Sequence, residues 1–398
     1  MSYLRFSKAF TQQEPLPQDA IDNAVAVMQG GRLHRYNVSQ GEISQAALLE
    51  KEFADYQGTQ FCLACTSGGY ALHIALRCLG LGFGEPVLTN AFTLAPVPGA
   101  IHNAGGKPVL VETEPDLTID LNDLENKARS SAARFLMLSH MRGHIADMEA
   151  IIDICSRHKI DLVEDCAHTM GASWKNVKSG NFGKIACFSS QTYKHLNSGE
   201  GGFLTTNDPE IMAKAIIHSG SYMLYESHIA KPAHEVFESV KLQTPNYSGR
   251  MDNLRASILR VQLKDLDSNC MRWNRRYQVL ANKLEKIQGI CLPKRSEHEH
   301  YVGSSIQFSV NLGGADKVPQ FIETCLKRGV EIKWFGDKEP KGFTSRFDSW
   351  RYFDNHGELP KTIQTLSNLC DMRVPLTFSE NDCALIGEII EQVVSEIA

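Results

Sequence analysis

The sequence predicts an α/β protein in which a large domain, built on a mixed, mostly parallel sheet of seven strands, is followed by a smaller α+β domain. Three observations lead there. At 398 residues the chain is longer than one ordinary hydrophobic core supports, so two domains are expected. From about residue 44 to residue 265, helical and strand-like patterns alternate, as they do where crossover helices join parallel strands. Beyond residue 265 the alternation gives way to a long charged helical stretch and an isolated strand pattern. The expected limits are an N-terminal arm over 1–20, a large domain over 21–265 and a small domain over 266–398.

The elements follow in order. AALLEKEFADYQG keeps apolar residues at helical spacing and stops at Gly58, a residue suited to a helix end. FCLAC is a short buried strand. SGGYALHIALRCLGLG opens on Ser67, Gly68 and Gly69 and continues as an amphipathic helix. PVLTNAF, KPVLVET, RFLMLSH and DLVEDCA supply the next strands, and KIACFSS and GGFLTT the last two. Each runs into a loop that begins with small or polar residues, which is where α/β proteins keep their sites. In the small domain NRRYQVLANKLEKI reads as a long helix, IQFSVNL as a strand and VPQFIETCLKRG as a helix, with a last helix near the C-terminus.

Composition narrows the function. Hydrophobic residues make up 42% and charged residues 22% of the chain, enough to build a core and stay in solution. A net charge of −5 with no dense Lys/Arg run speaks against nucleic acid and for a small-molecule partner. The longest apolar runs, residues 95–101 and 134–138, fall short of the roughly 18 residues that span a bilayer, so no membrane segment is expected. MSYLRFSKAFTQQEPLPQ has no apolar stretch of a secretory signal, which predicts a cytoplasmic protein. Eleven unevenly spaced cysteines argue against a disulfide framework. The lone C-x-x-C of Cys62 and Cys65 lies in a strand pattern and reads as buried thiols rather than a metal or redox pair.

The chemistry starts at the strand IDLVEDCAH. It ends in Glu164 and Asp165, which places at least one carboxylate at the sheet's carboxyl edge, where a cation must compensate it. A protein Arg or Lys would serve, and so would a pyridinium nitrogen. About thirty residues on, KIACFSSQTYKHLNSGEGG carries Ser189, Ser190 and Lys194 in a polar loop before a Gly-rich turn. A loop lysine is usually a solvated charge. Here Ser189 offers a hydroxyl to an anion, and Ser67, Gly68 and Gly69 offer N–H groups at a helix N-terminus, where phosphate binds well. Pyridoxal 5′-phosphate (PLP) demands an amine, an acid for its ring nitrogen and a phosphate cradle together. Lys194, Asp165 and the turn with Ser189 meet all three.

On these residues the sequence resembles the DegT/StrS-type sugar aminotransferases, PLP enzymes of the aspartate-aminotransferase fold (fold type I). FADYQGTQFCLACTSGGYALHIAL resembles the family's entry strand and phosphate turn, and HMRGHIADMEAI its H-x-x-G-x-x-A-D-M segment. VEDCAHTMGASWKNVKSGNFGKIACFSSQTYKHLNSGEGGFLTTND resembles the stretch that holds the ring-nitrogen acid, the phosphate serine and the Schiff-base lysine. The resemblance implies Lys194 as that lysine and the proton shuttle, Asp165 as partner of the pyridine nitrogen, and Ser189, Gly68 and Gly69, with Ser67, as the phosphate site. His168 stands where the family usually has a glutamine near the cofactor's phenolic oxygen. A homodimer with shared active sites is implied too, through an Asn of an N-Y-R-M run that reaches the neighbouring subunit. Here the run is NYSGRM, with Asn246 the candidate and Ser248 and Gly249 inserted. The family tends to stack an aromatic on the ring two residues after the Phe92 equivalent; Leu94 stands there, which leaves either Phe92 or Leu94 against the ring. The implied reaction moves an amino group from glutamate or glutamine to a keto sugar. The SSQTYKHLNSGEGG and NYSGRM segments point to 8-keto-3-deoxy-manno-octulosonate, a lipopolysaccharide sugar acid, with a nucleotide-linked 3-keto or 4-keto deoxyhexose as the alternative.

Other features weigh less. His140 and His144 have metal-ligand spacing, but Gly143 lies between them without a third ligand, and a loop lining the cofactor site is the preferred reading. His73 reads as an ordinary helix residue and Glu200 as a partner of its turn. GLGFGE follows a helix and precedes a strand, the wrong order for a dinucleotide fingerprint. Three alternatives stay open: a dehydratase that holds PLP non-covalently through a histidine, which His195 would supply if the loop register slipped by one; a PLP-binding regulator without turnover; and a keto-sugar reductase, against which the missing nicotinamide fingerprint speaks.

Overall fold

Five-residue apolar segments recur through the first half of the chain. The computed structural model, which describes residues 3–314, 317–341, 344–353 and 357–397, shows what covers them. Residues 1–2 of the expected arm and 315–316, 342–343, 354–356 and 398 of the expected small domain lie outside the described residues. In chain order the strands are β1 (Phe61–Cys65), β2 (Pro86–Asn90), β3 (Lys107–Val111), β4 (Phe135–Ser139) and β5 (Asp161–Asp165). A short hairpin of β6 (Ser173–Trp174) and β7 (Val177–Lys178) follows, then β8 (Ile185–Ser189) and β9 (Gly202–Thr206). Seven of these form one sheet in the order β1-β9-β8-β5-β4-β2-β3. β9 runs antiparallel to β1 and β8, and the remaining pairings are parallel. These seven are the strands that the sequence pattern predicts, to within two residues at either end.

The period of two sorts their side chains. Cys62, Ala64, Leu136, Leu138, Ala186 and Phe188 join the helices Gln45–Gln57, Met148–His158 and Asn253–Lys264 on one face. Leu63, Cys65, Phe135, Met137, Ile185 and Cys187 join Gly68–Cys78, Pro96–Asn103 and Pro209–Ser219 on the other. Both faces are therefore covered, as parallel strands require. Phe53 ties the first layer to the sheet: its ring stacks on Phe203 at 4.2 Å and meets Phe188 edge-on at 5.2 Å. The helices start on side-chain caps, with Ser44, Asp120, Asp147, Asp208 and Asp252 each accepting a backbone N–H of the first turn. Gly58 closes Gln45–Gln57 at φ 79°, the stop the sequence predicts. All eleven cysteines are unpaired and ten are buried, Cys62 and Cys65 among them.

A second sheet follows. The strands β10 (Ile290–Cys291), β11 (Glu299–His300), β12 (Ser305–Val310), β13 (Lys333–Trp334) and β14 (Leu369–Arg373) complete the series. Four of them pair antiparallel in the order β10-β12-β14-β13. The helices Leu266–Leu284, Lys317–Lys327 and Glu380–Ile397 pack their apolar sides on it. Phe6 and Phe10 of the N-terminal arm belong to the same core, each edge-on to Phe378 at 4.9 Å. β11 instead pairs with β6, which fastens this unit to the large one. A cluster of Phe92, Leu117, Met141, Phe335, Leu366 and Leu369 joins the two sheets near the carboxyl ends of β2 and β4. Among the described residues no helix is long and apolar enough to cross a membrane.

Phe53→Ala is expected to lower the unfolding free energy by about 3–5 kcal/mol in urea denaturation. Truncating Ile152, which is 41% exposed, is expected to cost under about 1 kcal/mol in the same assay.

Candidate active site

Alternation along β5 sends its two closing carboxylates to opposite faces. Glu164, fully buried, accepts the N–H groups of Gly180 (2.9 Å), Phe182 (2.8 Å) and Gly183 (2.7 Å) and His140 Nε2 (3.1 Å). Four donors around one carboxylate offset its burial and fix loop 180–183 beneath the sheet. Asp165 faces the other way: Ser139 Oγ, at the end of β4, donates to its Oδ2 at 2.8 Å, and the Ala167 N–H donates to its Oδ1 at 3.1 Å. Of the two acids, Asp165 is the one available to a ligand at the carboxyl edge.

The loop between β8 and β9 is tied to itself. The Ser190 N–H donates to Gly201 O, Ser198 N–H to Ser190 O, Thr192 N–H to Gly199 O and Lys194 N–H to Gln191 O. Its partly buried Lys194 points Nζ at His168 Nε2, 2.8 Å away. Burial, and then the charge of Arg142, bring the Lys194 amine down to about 7; Asp165 pulls the other way, and Arg373 and Lys333 add to the lowering. Burial and the Lys194 charge hold His168 well below the usual imidazole range, so it is neutral and accepts from the amine through Nε2. His195 turns away: its Nδ1 bonds to Met170 O at 2.8 Å and its Nε2 to Ser304 Oγ at 3.0 Å. Burial takes His195 down to about 4. The loop register thus aims Lys194, not its histidine neighbour, at Asp165 and His168. Behind the lysine a cavity of about 310 Å³ opens between residues 13–17 and the helix Leu266–Leu284.

The helix Gly68–Cys78 begins against the start of this loop. Ser67 caps it, its Oγ accepting the Tyr70 N–H at 3.0 Å, which leaves its O–H free to donate. The Gly68 and Gly69 N–H groups belong to the first turn and have no intrahelical acceptor. A Cβ on Gly68 would lie 2.9 Å from Ser189 Cβ, and one on Gly202 would lie 2.4 Å from the Ser67 carbonyl carbon. Only glycine allows the helix N-terminus to come this close to β8 and β9. The result is a small cradle of N–H groups with the Ser189 side chain at its wall. An amine poised near neutrality, a carboxylate at the strand edge and an N–H cradle for phosphate are the three fittings that PLP needs, and they fit it.

Phe92 and Asn246 stand apart from this group. Phe92, 1% exposed, is edge-on to Phe335 at 5.0 Å within the cluster that joins the sheets, with the half-buried Leu94 at its border. Asn246 lies in the 245–250 segment, where its Oδ1 accepts the Ser248 N–H at 2.9 Å and its buried Nδ2 has no hydrogen-bond partner. That segment meets the end of β1, through Thr66 N–H to Gly249 O and a bridge between Cys65 and Arg250. His140 and His144 do not share a ligand: His140 serves Glu164, and His144 Nε2 bonds to Gln307 Oε1 at 2.9 Å. Ligand atoms of His140, Glu164 and Cys166 come within 4.8 Å of one another, but the Glu164 oxygens are filled by backbone donors. Sequence reasoning missed Ser139, Arg142, Tyr193, Lys333, Asp371 and Arg373. For the last three the available signal was charge inside a strand pattern, as in LCDMR.

A model of the DegT/DnrJ/EryC1/StrS aminotransferase family matches residues 18–382. Among similar proteins, GDP-perosamine synthase of Caulobacter vibrioides is 33% identical over 240 residues, covering 60% of this chain and 62% of that protein. A pleiotropic regulatory protein of Geobacillus stearothermophilus is 30% identical over 69% of this chain and 71% of its own length. L-Glutamine:2-deoxy-scyllo-inosose aminotransferase of Streptomyces fradiae is 29% identical over 69% of this chain and 64% of its own. The chain thus spans less than two thirds of the perosamine synthase and of the inosose aminotransferase. In three dimensions it superposes on an aminotransferase from Psychrobacter cryohalolentis (TM-score 0.81, 21% identity, 97% of this chain and 100% of that one). It also superposes on a sugar aminotransferase from Micromonospora echinospora (TM-score 0.79, 19% identity, 96% and 99%). At these identities the structural likeness speaks for the fold.

Three outcomes are expected of the site. Covalent attachment of PLP to the apoprotein, fixed by borohydride and mapped to Lys194, should rise with pH through a midpoint near 7, because only the deprotonated amine attacks an aldehyde. Asp165→Asn removes the attraction that raises this pKa, so the midpoint should move to lower pH. Glu164→Ala leaves three buried N–H groups without an acceptor and should cost on the order of 3 kcal/mol or more in chemical denaturation.

Proposed function

The chain belongs to the DegT/DnrJ/EryC1/StrS aminotransferase family, and on that premise we propose that it is a PLP-dependent enzyme that moves an amino group from glutamate or glutamine to a keto sugar. One observation carries the reading. Lys194, its amine near 7, faces Asp165 and His168, while the cradle at the start of the helix Gly68–Cys78 packs against Ser189 and Gly202 on the strands that flank the lysine loop.

When bound, PLP supplies a cationic ring that takes up the electrons of a broken C–H bond. Asp165, steadied by Ser139 Oγ, holds a proton on the ring nitrogen. The Gly68 and Gly69 N–H groups and Ser189 hold the phosphate and with it the ring's position. Lys194 Nζ takes a proton from one carbon and returns it to another, and a pKa near 7 lets the same amine act as base and then as acid. His168, held neutral, offers Lys194 an uncharged acceptor, so the amine is steered without being further charged.

For the acceptor we favour 8-keto-3-deoxy-manno-octulosonate, whose amination would serve lipopolysaccharide. The resemblance of the lysine loop and of NYSGRM supports it. A nucleotide-linked keto deoxyhexose is the second reading, favoured by the likeness to a GDP-perosamine synthase. The likeness to a glutamine-dependent cyclitol enzyme keeps glutamine beside glutamate as donor. The reading includes a cytoplasmic homodimer in which Asn246 reaches the partner's phosphate site; the resemblance of the NYSGRM run supports that role.

The purified protein should be yellow, and glutamate or glutamine should shift its spectrum with release of the matching keto acid. Lys194→Ala should lose at least about 10²-fold in turnover. A spectrum that responds to donor without keto-acid release would favour a regulator, as the likeness to a pleiotropic regulatory protein suggests. Turnover of nucleotide sugars alone would remove the octulosonate.

A further inference from the structure

Two cations beside the lysine loop lack a carboxylate of their own. Along β14, Cys370 and Met372 enter the small unit's core, so Asp371 and Arg373 project from the opposite face of that sheet. Lys333 pairs with Asp371 across the sheet and shares that face. The Arg373 guanidinium lies 3.6 Å from the centre of the Tyr193 ring, one residue before Lys194. Arg142 reaches the same place from the loop after β4. Its Nη2 is 2.9 Å from Asp371 Oδ2, its side chain is 10% exposed, and its Nε is buried with no hydrogen-bond partner.

Counting charge decides what is missing. Lys194, Arg142, Lys333 and Arg373 face the carboxylates Asp165 and Asp371, and the exposed Glu331, two residues before Lys333, adds the weakest pull on it. Asp165 faces the cofactor site, and Asp371 pairs with Arg142 through Oδ2 and accepts Gln307 Nε2 at 2.8 Å through Oδ1. Among the described residues neither Arg373 nor Lys333 makes an ion pair. Burial brings the Lys333 amine down to about 8, with Asp371 pulling the other way and the Arg373 and Arg142 charges adding to the lowering.

Resting on the aminotransferase reading, we propose that Arg373 and Lys333, backed by Arg142, form a subsite for a free carboxylate of the acceptor, which makes that acceptor a keto-sugar acid. A guanidinium seated over an aromatic ring keeps its N–H groups for a planar anion, which they can meet two at a time. The position next to Lys194 lets one end of a sugar acid be gripped while another carbon meets the amine. A nucleotide diphosphate shares the anionic chemistry, so the test separates it from a carboxylate.

The test is titration calorimetry on the full-length protein loaded with PLP, using 3-deoxy-manno-octulosonate, its neutral methyl ester and GDP as probes. The acid should bind about tenfold or more tighter than the ester. Arg373→Met and, separately, Lys333→Met should each remove most of that advantage while changing ester binding less. Equal binding of acid and ester would overturn the proposal, as would variants that lose GDP binding rather than acid binding. So would variants whose spectral response to amino donor falls as far as their affinity for the acid, since the subsite would then belong to the donor. If wild-type protein showed no donor response, the aminotransferase reading would fail, and the acid-to-ester ratio would still decide the subsite.

Discussion

A strand buried on both faces that closes on two consecutive carboxylates needs separate donors on each side of the sheet. The site depends on how this constraint is met. Beneath the sheet, Glu164 collects three backbone N–H groups and a histidine, and thereby folds loop 180–183 against β5 and the start of β8. Above it, Asp165 takes one hydroxyl and one N–H and keeps room for a cation. One acid is saturated and holds structure; its neighbour is left partly satisfied and faces chemistry. Low dielectric strengthens both roles.

Around Asp165 the amine is governed by opposing fields. Burial and the Arg142, Arg373 and Lys333 charges favour the neutral lysine, while Asp165 favours the charged one. The balance lies near neutrality, the range in which a group can both take and give a proton. The cations that depress the lysine come from the small sheet and from the loop after β4, whereas the acid that opposes them belongs to the large sheet. The proton affinity of Lys194 is thus set jointly by two parts of the molecule.

Much of this was legible in the sequence because it rests on local pattern. Seven short apolar runs bounded by polar loops have few readings other than strands buried on both faces. Asp165, Ser189, Lys194 and the glycines at 68 and 69 stand out because each lies where a strand ends. What pattern does not carry is contact between distant segments. Nothing near Phe92 announces Phe335, and nothing near Arg142 announces Asp371. Nor does the sequence say that the Ser67 hydroxyl accepts the Tyr70 N–H as a helix cap. The arm 1–20 reads as an appendage, yet Phe6 and Phe10 are part of the small unit's core, through a side chain, Phe378, near the other end of the chain.

The antiparallel strand β9 has a mechanical meaning. It pairs on one side with β1, which leads into the cradle, and on the other with β8, which leads into the lysine loop. The separation between the helix N-terminus after β1 and the Lys194 loop is therefore set by two backbone ladders within a single sheet. Arg373 and Lys333 ride on a different sheet, joined to the first by a two-residue strand pairing and an apolar cluster. On the proposed roles, a tilt of the smaller unit would leave the coenzyme's two anchors at fixed spacing and move only the grip on the substrate's far end, a clamp closing on one end of a rigid jig.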